Sequence, residues 1–147
     1  MLLNSNQIQE IIPHRYPFLL VDQIIEMDDT HVVGVKCVTA NEMQFLGHFP
    51  QKHVMPGVLM IEALAQTGAV LLLSKEENRG KIGVLAGINK ARFHRQVVPG
   101  DKLTLELNFK GFRASIGFAD AVAKVDDEIA VKCELMFAVQ DVNAEEA

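Results

Sequence analysis

Gly57-Val58-Leu59-Met60-Ile61-Glu62-Ala63-Leu64-Ala65-Gln66-Thr67-Gly68-Ala69-Val70-Leu71-Leu72-Leu73-Ser74-Lys75 is apolar on nearly every side of a helix. Pro56-Gly57 stands at its start, where a missing amide donor costs little. Such a segment must be enclosed. Its length approaches the roughly 20 apolar residues of a membrane span. Glu62 and Gln66 in its first half, and the lack of a second such segment, favour burial within folded protein and no membrane insertion. The segment therefore predicts a central helix for which the rest of the chain supplies walls.

Those walls read as strands. After the polar stretch Lys75 to Lys81 the apolar period changes from helical to two. Leu103, Leu105, Leu107 and Phe109 alternate with Thr104, Glu106, Asn108 and Lys110, and Ile129, Val131, Cys133, Leu135, Phe137 and Val139 alternate likewise. Ile82 to Phe93 and Ala114 to Val125 complete this set, with Asp126-Asp127-Glu128 as a hairpin turn. Upstream, Phe18 to Glu26 and His31 to Thr39 form a hairpin across Met27-Asp28-Asp29-Thr30. Asn4 to Ile12 predicts a short helix with Asn4 and Gln7 as a capping box, ended by Pro13 and Pro17, and Ala40 to Pro56 predicts a loop. One long helix against about six strands is an α+β pattern, a curved antiparallel sheet wrapped round a helix. Residues 1–140 are expected to form a single domain, and 141–147 a short, acidic, frayed tail.

Composition narrows the partners. The chain has 147 residues, 49% of them hydrophobic, enough for one core without disulfides or a structural metal. A net charge of −5 argues against nucleic acid as a partner, although a local basic patch can still serve an acidic protein. Cys37 and Cys133 are too few and too separated for a disulfide framework or a cysteine zinc site, and the N-terminus carries no secretory pattern, so a cytoplasmic location is expected.

The chemistry concentrates in Gly47-His48-Phe49-Pro50-Gln51-Lys52-His53-Val54-Met55-Pro56, which runs directly into the helix. It sets a histidine in a proline-stiffened loop and a carboxylate, Glu62, about one and a half turns into an apolar helix. A charged residue is seldom buried without a partner or a purpose. For Glu62 the structural alternative is an ion pair or a hydrogen bond to Gln66, one turn along the same face. His14 reads as structural beside Arg15, His31 as the start of a strand and His53 as loop-borne.

This segment closely resembles the signature of the 3-hydroxyacyl-acyl carrier protein dehydratases of type II fatty-acid synthesis, in the branch with glutamate in the helix. Pro13-His14-Arg15-Tyr16-Pro17-Phe18-Leu19-Leu20-Val21-Asp22 and the block from Phe93 through Val97-Val98-Pro99-Gly100-Asp101 resemble the same family, so the likeness covers nearly the whole chain. The resemblance implies a hot-dog fold, a homodimer whose sheets join, and commonly a hexamer of three dimers. It also implies that His48 and Glu62 of one active site come from different protomers. Gln51 stands where the family often has glycine, and His53 where it often has proline, which bears on loop geometry and substrate preference.

Removing water from a 3-hydroxyacyl thioester needs a base for the C2 proton, an acid for the departing hydroxyl, and donors for charge developing on the thioester oxygen. His48 suits the base, and Glu62 the acid, directly or through a water, if its surroundings keep it neutral. The amide of Gly57 at the helix start suits the thioester oxygen, and the missing side chain lets substrate approach. Phe49, Met55, Val58, Gln66 and Phe93 are candidates for the acyl channel, with Gln66 also suited to orient Glu62. Lys90, Arg92 and His94 alternate toward Phe93 as a candidate docking face for acyl carrier protein. No metal or cofactor is expected. The competing functions are a dehydratase that also isomerises the double bond from trans-2 to cis-3, an idle acyl-binding module and a thioester hydrolase, and product analysis separates them.

Overall fold

The computed structural model describes residues 1–143. Helix α1 spans Ser5–Ile11 and is capped as its sequence predicts: Gln7 N donates to Asn4 Oδ1 while Asn4 N donates to Gln7 Oε1. Strands β1 (Gln23–Met27) and β2 (His31–Cys37) form the first hairpin. Asp28 Oδ1 closes its turn by accepting from the amides of Thr30 and His31, and these two hydrogen bonds hold the Asp28 carboxyl below its usual range. A single turn of 3-10 helix, Met43–Leu46, lies in the long loop. Helix α2, Gly57–Ser74, follows, and then strands β3 (Ile82–Phe93), β4 (Lys102–Arg113), β5 (Ile116–Val125) and β6 (Glu128–Gln140).

The six strands make one antiparallel sheet in the order β1-β2-β4-β5-β6-β3. Alternation decides its inner face. Leu103, Leu105, Leu107 and Phe109 of β4, Ala119, Ala121 and Ala123 of β5, and Val131, Cys133, Leu135 and Phe137 of β6 are buried against α2. The sheet touches α2 through β2, β3, β4, β5 and β6, so the helix is enclosed. Although α2 is long and apolar enough to cross a membrane, 72% of that window is buried inside the fold, and core burial accounts for its composition.

Close approach of helix and sheet depends on a missing side chain. A Cβ on Gly68 would lie 2.7 Å from Phe137 Cζ and 2.9 Å from Leu107 Cδ2.

The sequence reading differs from the structure at two element starts. Phe18–Asp22 is not strand, because its backbone is engaged by a side chain of the core helix: Gln66 Oε1 accepts from Leu20 N at 2.7 Å and Gln66 Nε2 donates to Phe18 O at 2.7 Å. Ala114 opens a turn rather than a strand, with φ of 55°. The expected acidic tail lies partly outside the described residues; Asp141 to Asn143 are exposed and outside the sheet.

Gly68→Val tests the close packing. It trades a poor helix former for side-chain atoms with nowhere to go, and overpacking is expected to lower stability by about 1–3 kcal/mol. Urea unfolding monitored by circular dichroism measures it, and an unchanged midpoint would contradict the packing.

Candidate active site

The loop after the 3-10 turn is cross-braced by its own backbone. Phe49 and Lys52 exchange amide hydrogen bonds at 2.9 and 3.1 Å, and Val54 N donates to His48 O at 3.1 Å. The ring of His48 joins the brace, with Nδ1 at 2.6 Å from Val54 O. A carbonyl can only accept, so Nδ1 carries the proton and Nε2 is the basic nitrogen. Phe49 stacks on the His48 ring with centroids 4.0 Å apart, and His53 stacks on Phe45.

His48 borders an open, mainly apolar cavity of about 360 Å³ with Met55, Gly57, Val58, Phe93 and Arg95. No side chain caps the start of α2 at Pro56. The first amides of the helix have no intrahelical acceptor, and with the aligned peptide dipoles they favour negative charge there. Of the channel candidates, Met55, Val58 and Phe93 border this cavity, whereas Phe49 serves as the stacking partner of His48.

Gly57 needs its missing side chain for a reason other than the one expected. A Cβ at that position would lie 2.5 Å from Phe93 Cε1. The Phe93 ring, itself half exposed, therefore takes the space over the helix start that was expected to admit substrate.

Glu62 lies elsewhere in the same chain. Five residues separate it from Gly57, and at about 100° per residue this turns its side chain about 140° round the helix axis. It borders a second, small cavity of about 60 Å³ with His14 and Gln66, walled by Gly83, Leu85 and Phe137. Gln66 Nε2 donates to Glu62 Oε2 at 3.0 Å, so Gln66 orients the carboxylate. As a channel residue Gln66 is corrected: its side chain is buried and its amide is committed to Phe18, Leu20 and Glu62. Glu62 itself is not dry, since 22% of its side chain is exposed. His48 and Glu62 thus border separate cavities within one chain.

His14, read from sequence as structural, has its Nε2 3.8 Å from Glu62 Oε2. Burial holds the His14 imidazole below its usual value, outweighing the nearby carboxylate, and Arg15 adds to the lowering. The contact is therefore a neutral ring beside a carboxyl group and not an ion pair. Arg15 carries the structural role, donating to the carbonyls of Gln9, Ile12 and His14 at the end of α1. The signal that could have found His14 was its place among the prolines of Pro13-His14-Arg15-Tyr16-Pro17. Arg95, also missed, pairs with Asp101 at 3.4 Å beside the His48 cavity.

Lys90, Arg92 and His94 share a depression of about 480 Å³ on the outer face of the sheet with Lys110 and Lys132. Their strict alternation is broken by a bulge between Asn89 and Arg92, where Lys90 has φ of 54°, yet all three border the same depression. Asp120 and Glu134 neutralise Lys110 at 2.9 and 3.2 Å and hold its ammonium above the usual range. Lys90, Arg92 and Lys132 make no ion pair among the described residues. Among the described residues, no three His, Cys, Asp or Glu side chains cluster as a metal site.

Comparison with known proteins adds the chemistry that geometry alone leaves open. The profile of the FabA-like domain matches residues 12–134. The chain is 55% identical over 142 residues to the 3-hydroxyacyl-[acyl-carrier-protein] dehydratase FabZ of Staphylococcus aureus strain JH9, covering 96% of this chain and 97% of that protein. Among solved structures it resembles the dehydratase heterocomplex ApeI:P from Xenorhabdus doucetiae, with a TM-score of 0.77 at 20% identity over 92% of this chain and 91% of the other. It also resembles a hypothetical thioesterase with coenzyme A from Streptococcus pneumoniae TIGR4, with a TM-score of 0.63 at 16% identity over 81% and 85%. These two likenesses concern the fold, the expected hot-dog, which hosts more than one thioester chemistry.

The contact between Gly57 and Phe93 is testable by a double-mutant cycle. Gly57→Ala pushes against the ring, and Phe93→Leu removes the obstacle, so the two substitutions are expected to couple by at least about 0.5 kcal/mol in urea unfolding. Additive effects would mean the ring does not rest on the glycine.

Proposed function

The chain belongs to the FabA-like family, and from that premise we propose that it dehydrates 3-hydroxyacyl groups carried on acyl carrier protein to trans-2-enoyl groups during fatty-acid elongation, as a hydro-lyase of the cytoplasm. The observation that carries this reading is the 2.6 Å contact of His48 Nδ1 with the Val54 carbonyl, which sets the tautomer of the ring. Its Nδ1 proton is committed to Val54 O, which leaves Nε2 as a fixed base beside the uncapped start of α2.

In the proposed reaction Nε2 of His48 takes the C2 proton, and that electron pair becomes the C2–C3 double bond. The C3–O bond breaks, and the oxygen leaves as water with a proton from Glu62, directly or through a water. The amide of Gly57 and the helix dipole stabilise charge on the thioester oxygen meanwhile. For the amide to act so, the Phe93 ring swings off the helix start. Its half exposure is compatible with such movement.

Because His48 and Glu62 border separate cavities of one chain, we propose that each active site joins the His48 of one protomer to the Glu62 of a second in a homodimer. Strand β3 supports this. It is an edge strand of 12 residues with Val84, Ile88 and Phe93 exposed along it, and such an edge invites pairing with another strand. Pairing two copies of β3 makes one continuous sheet and brings the neighbouring cavities of the two chains together. The same reading extends to a hexamer of three such dimers.

The acidic carrier would dock on Lys90, Arg92 and His94, joined by Lys132. A chain with net charge −5 repels an acidic partner unless positive charge is concentrated where the partner lands.

Two measurements test this reading. His48→Ala and Glu62→Gln are each expected to lower turnover about 10²- to 10⁴-fold with fold and oligomer intact, while the wild type yields the trans-2-enoyl thioester as its main product. Near-normal turnover of either variant, or free acid or cis-3-enoyl thioester as the main product, would overturn the assignment. Lys90→Glu with Arg92→Glu is expected to raise KM for carrier-bound substrate by at least about 10-fold while sparing a short carrier-free thioester. Equal effects on both substrates would remove the docking role.

A further inference from the structure

The polar side chains buried among the described residues are those of Gln66, Thr67 and Lys36. Gln66 is engaged by Phe18, Leu20 and Glu62, and Thr67 Oγ1 donates to Ala63 O in its own helix. Lys36 remains, and it is the one that carries a charge. It lies in β2 directly opposite Leu103, an inner-face residue of β4, so its stem runs on the helix side of the sheet. There its Nζ meets Glu42 Oε1 at 2.8 Å, with 6% of the Lys36 side chain and 19% of the Glu42 side chain exposed. Neither residue takes part in the proposed reaction.

Glu42 stands where the loop toward His48 begins, and each of its polar atoms is engaged. Oε1 also accepts from Gln44 Nε2 at 2.8 Å, and Oε2 accepts from Thr39 N at 2.7 Å. Its backbone amide donates to Thr39 O, and its carbonyl accepts from Phe45 N at 3.2 Å. From there contacts run on to the base. Phe45 is buried and its ring stacks on His53 at 5.3 Å. The next residue, Val54, grips His48 twice, donating to its carbonyl and accepting from its Nδ1. The braces inside the loop give it shape without attaching it to the body of the fold. Attachment comes at its two ends: Met55 N donates to Val97 O at 2.8 Å on one side, and Glu42 meets Lys36 on the other.

We propose that Lys36 and Glu42 are positioning residues for the base: their ion pair ties the loop to β2 and so sets where His48 stands. The proposal rests on the reading of His48 as the base. Stability does not call for such a pair, because desolvating two charges offsets their attraction and apolar side chains of similar volume are often as stable or more so. What the charged pair adds is a fixed meeting point. The Lys36 ammonium has Glu42 as its one carboxylate among the described residues, whereas two apolar side chains pack about equally well in several arrangements. Placement matters, since a displacement of about 1 Å at a reacting group can lower turnover about 10²-fold.

The test removes the pair without leaving a buried charge alone. In Lys36→Met with Glu42→Gln, methionine fills the volume of the lysine stem and glutamine keeps an acceptor for Thr39 N. Glu42→Gln alone is the second variant, and circular dichroism and gel filtration select whichever keeps the native fold and oligomer. The expected result is a kcat lowered at least about 10-fold, with KM for a short carrier-free thioester within about twofold. The isotope effect on kcat for substrate deuterated at C2 should exceed that of the wild type, because a displaced base slows C2 proton transfer in every molecule. A pair with a structural role alone would act through the number of folded sites and leave the isotope effect unaltered. A kcat within about threefold of wild type, or a fall with an unaltered isotope effect, would overturn the proposal. His48→Ala measured alongside distinguishes the layers: if it retains turnover, the base assignment fails, whereas if it is inactive and the pair variant is normal, only the tether fails.

Discussion

A helix enclosed by a sheet can keep polar side chains only by giving each a partner, and in this protein the Gln66 carboxamide meets that demand for several elements together. Its oxygen accepts from Leu20 N and its nitrogen donates to Phe18 O and to Glu62 Oε2. Buried unpaired amide groups cost about 1–3 kcal/mol each, so the three bonds are strongly favoured as a set. They fix the segment that follows α1 against the core helix, and that segment brings His14 to Glu62. The carboxylate and its neighbour are thus positioned by the packing of the fold and not by a flexible loop.

The other half of the proposed chemistry depends on a different brace. His48 is held by the loop's own backbone and by Val54 O, and the helix start beside it has no side-chain cap, with the Phe93 ring filling the space a Gly57 side chain would take. Rotation of about 140° along α2 separates the two halves. The same helix therefore presents an anion-favouring end to one cavity and a carboxylate to another. The proposed site, completed between two copies, uses both cavities, and on that proposal assembly is a condition of activity.

Much of this was legible in the sequence because burial leaves a period. The all-round apolarity of residues 57–75 gave the enclosed helix, and alternation in 103–109 and 129–139 gave the sheet face. Asn4 and Gln7 announced their cap. What escaped had no period to carry it. Phe18 to Asp22 has strand-like residues but lends its backbone to Gln66, a partner 46 to 48 positions away. His14 was passed over because nothing local reveals a contact across 48 residues of sequence, and Gly57 was credited to substrate because the approach of Phe93 is likewise a tertiary fact. His48 and Glu62 were singled out as candidates through the resemblance of their surrounding motif, which spacing alone does not supply.

The account turns on a site divided between two chains, and subunit exchange measures that directly. His48→Ala and Glu62→Gln proteins, each inactive, are mixed in equal amounts, exchange is verified by mass spectrometry of the heterodimers, and dehydration is assayed. A shared site predicts that activity returns to about a quarter of wild type, since half of the dimers are mixed and each mixed dimer restores one of its two sites. Mixed dimers that form and remain inactive would contradict it.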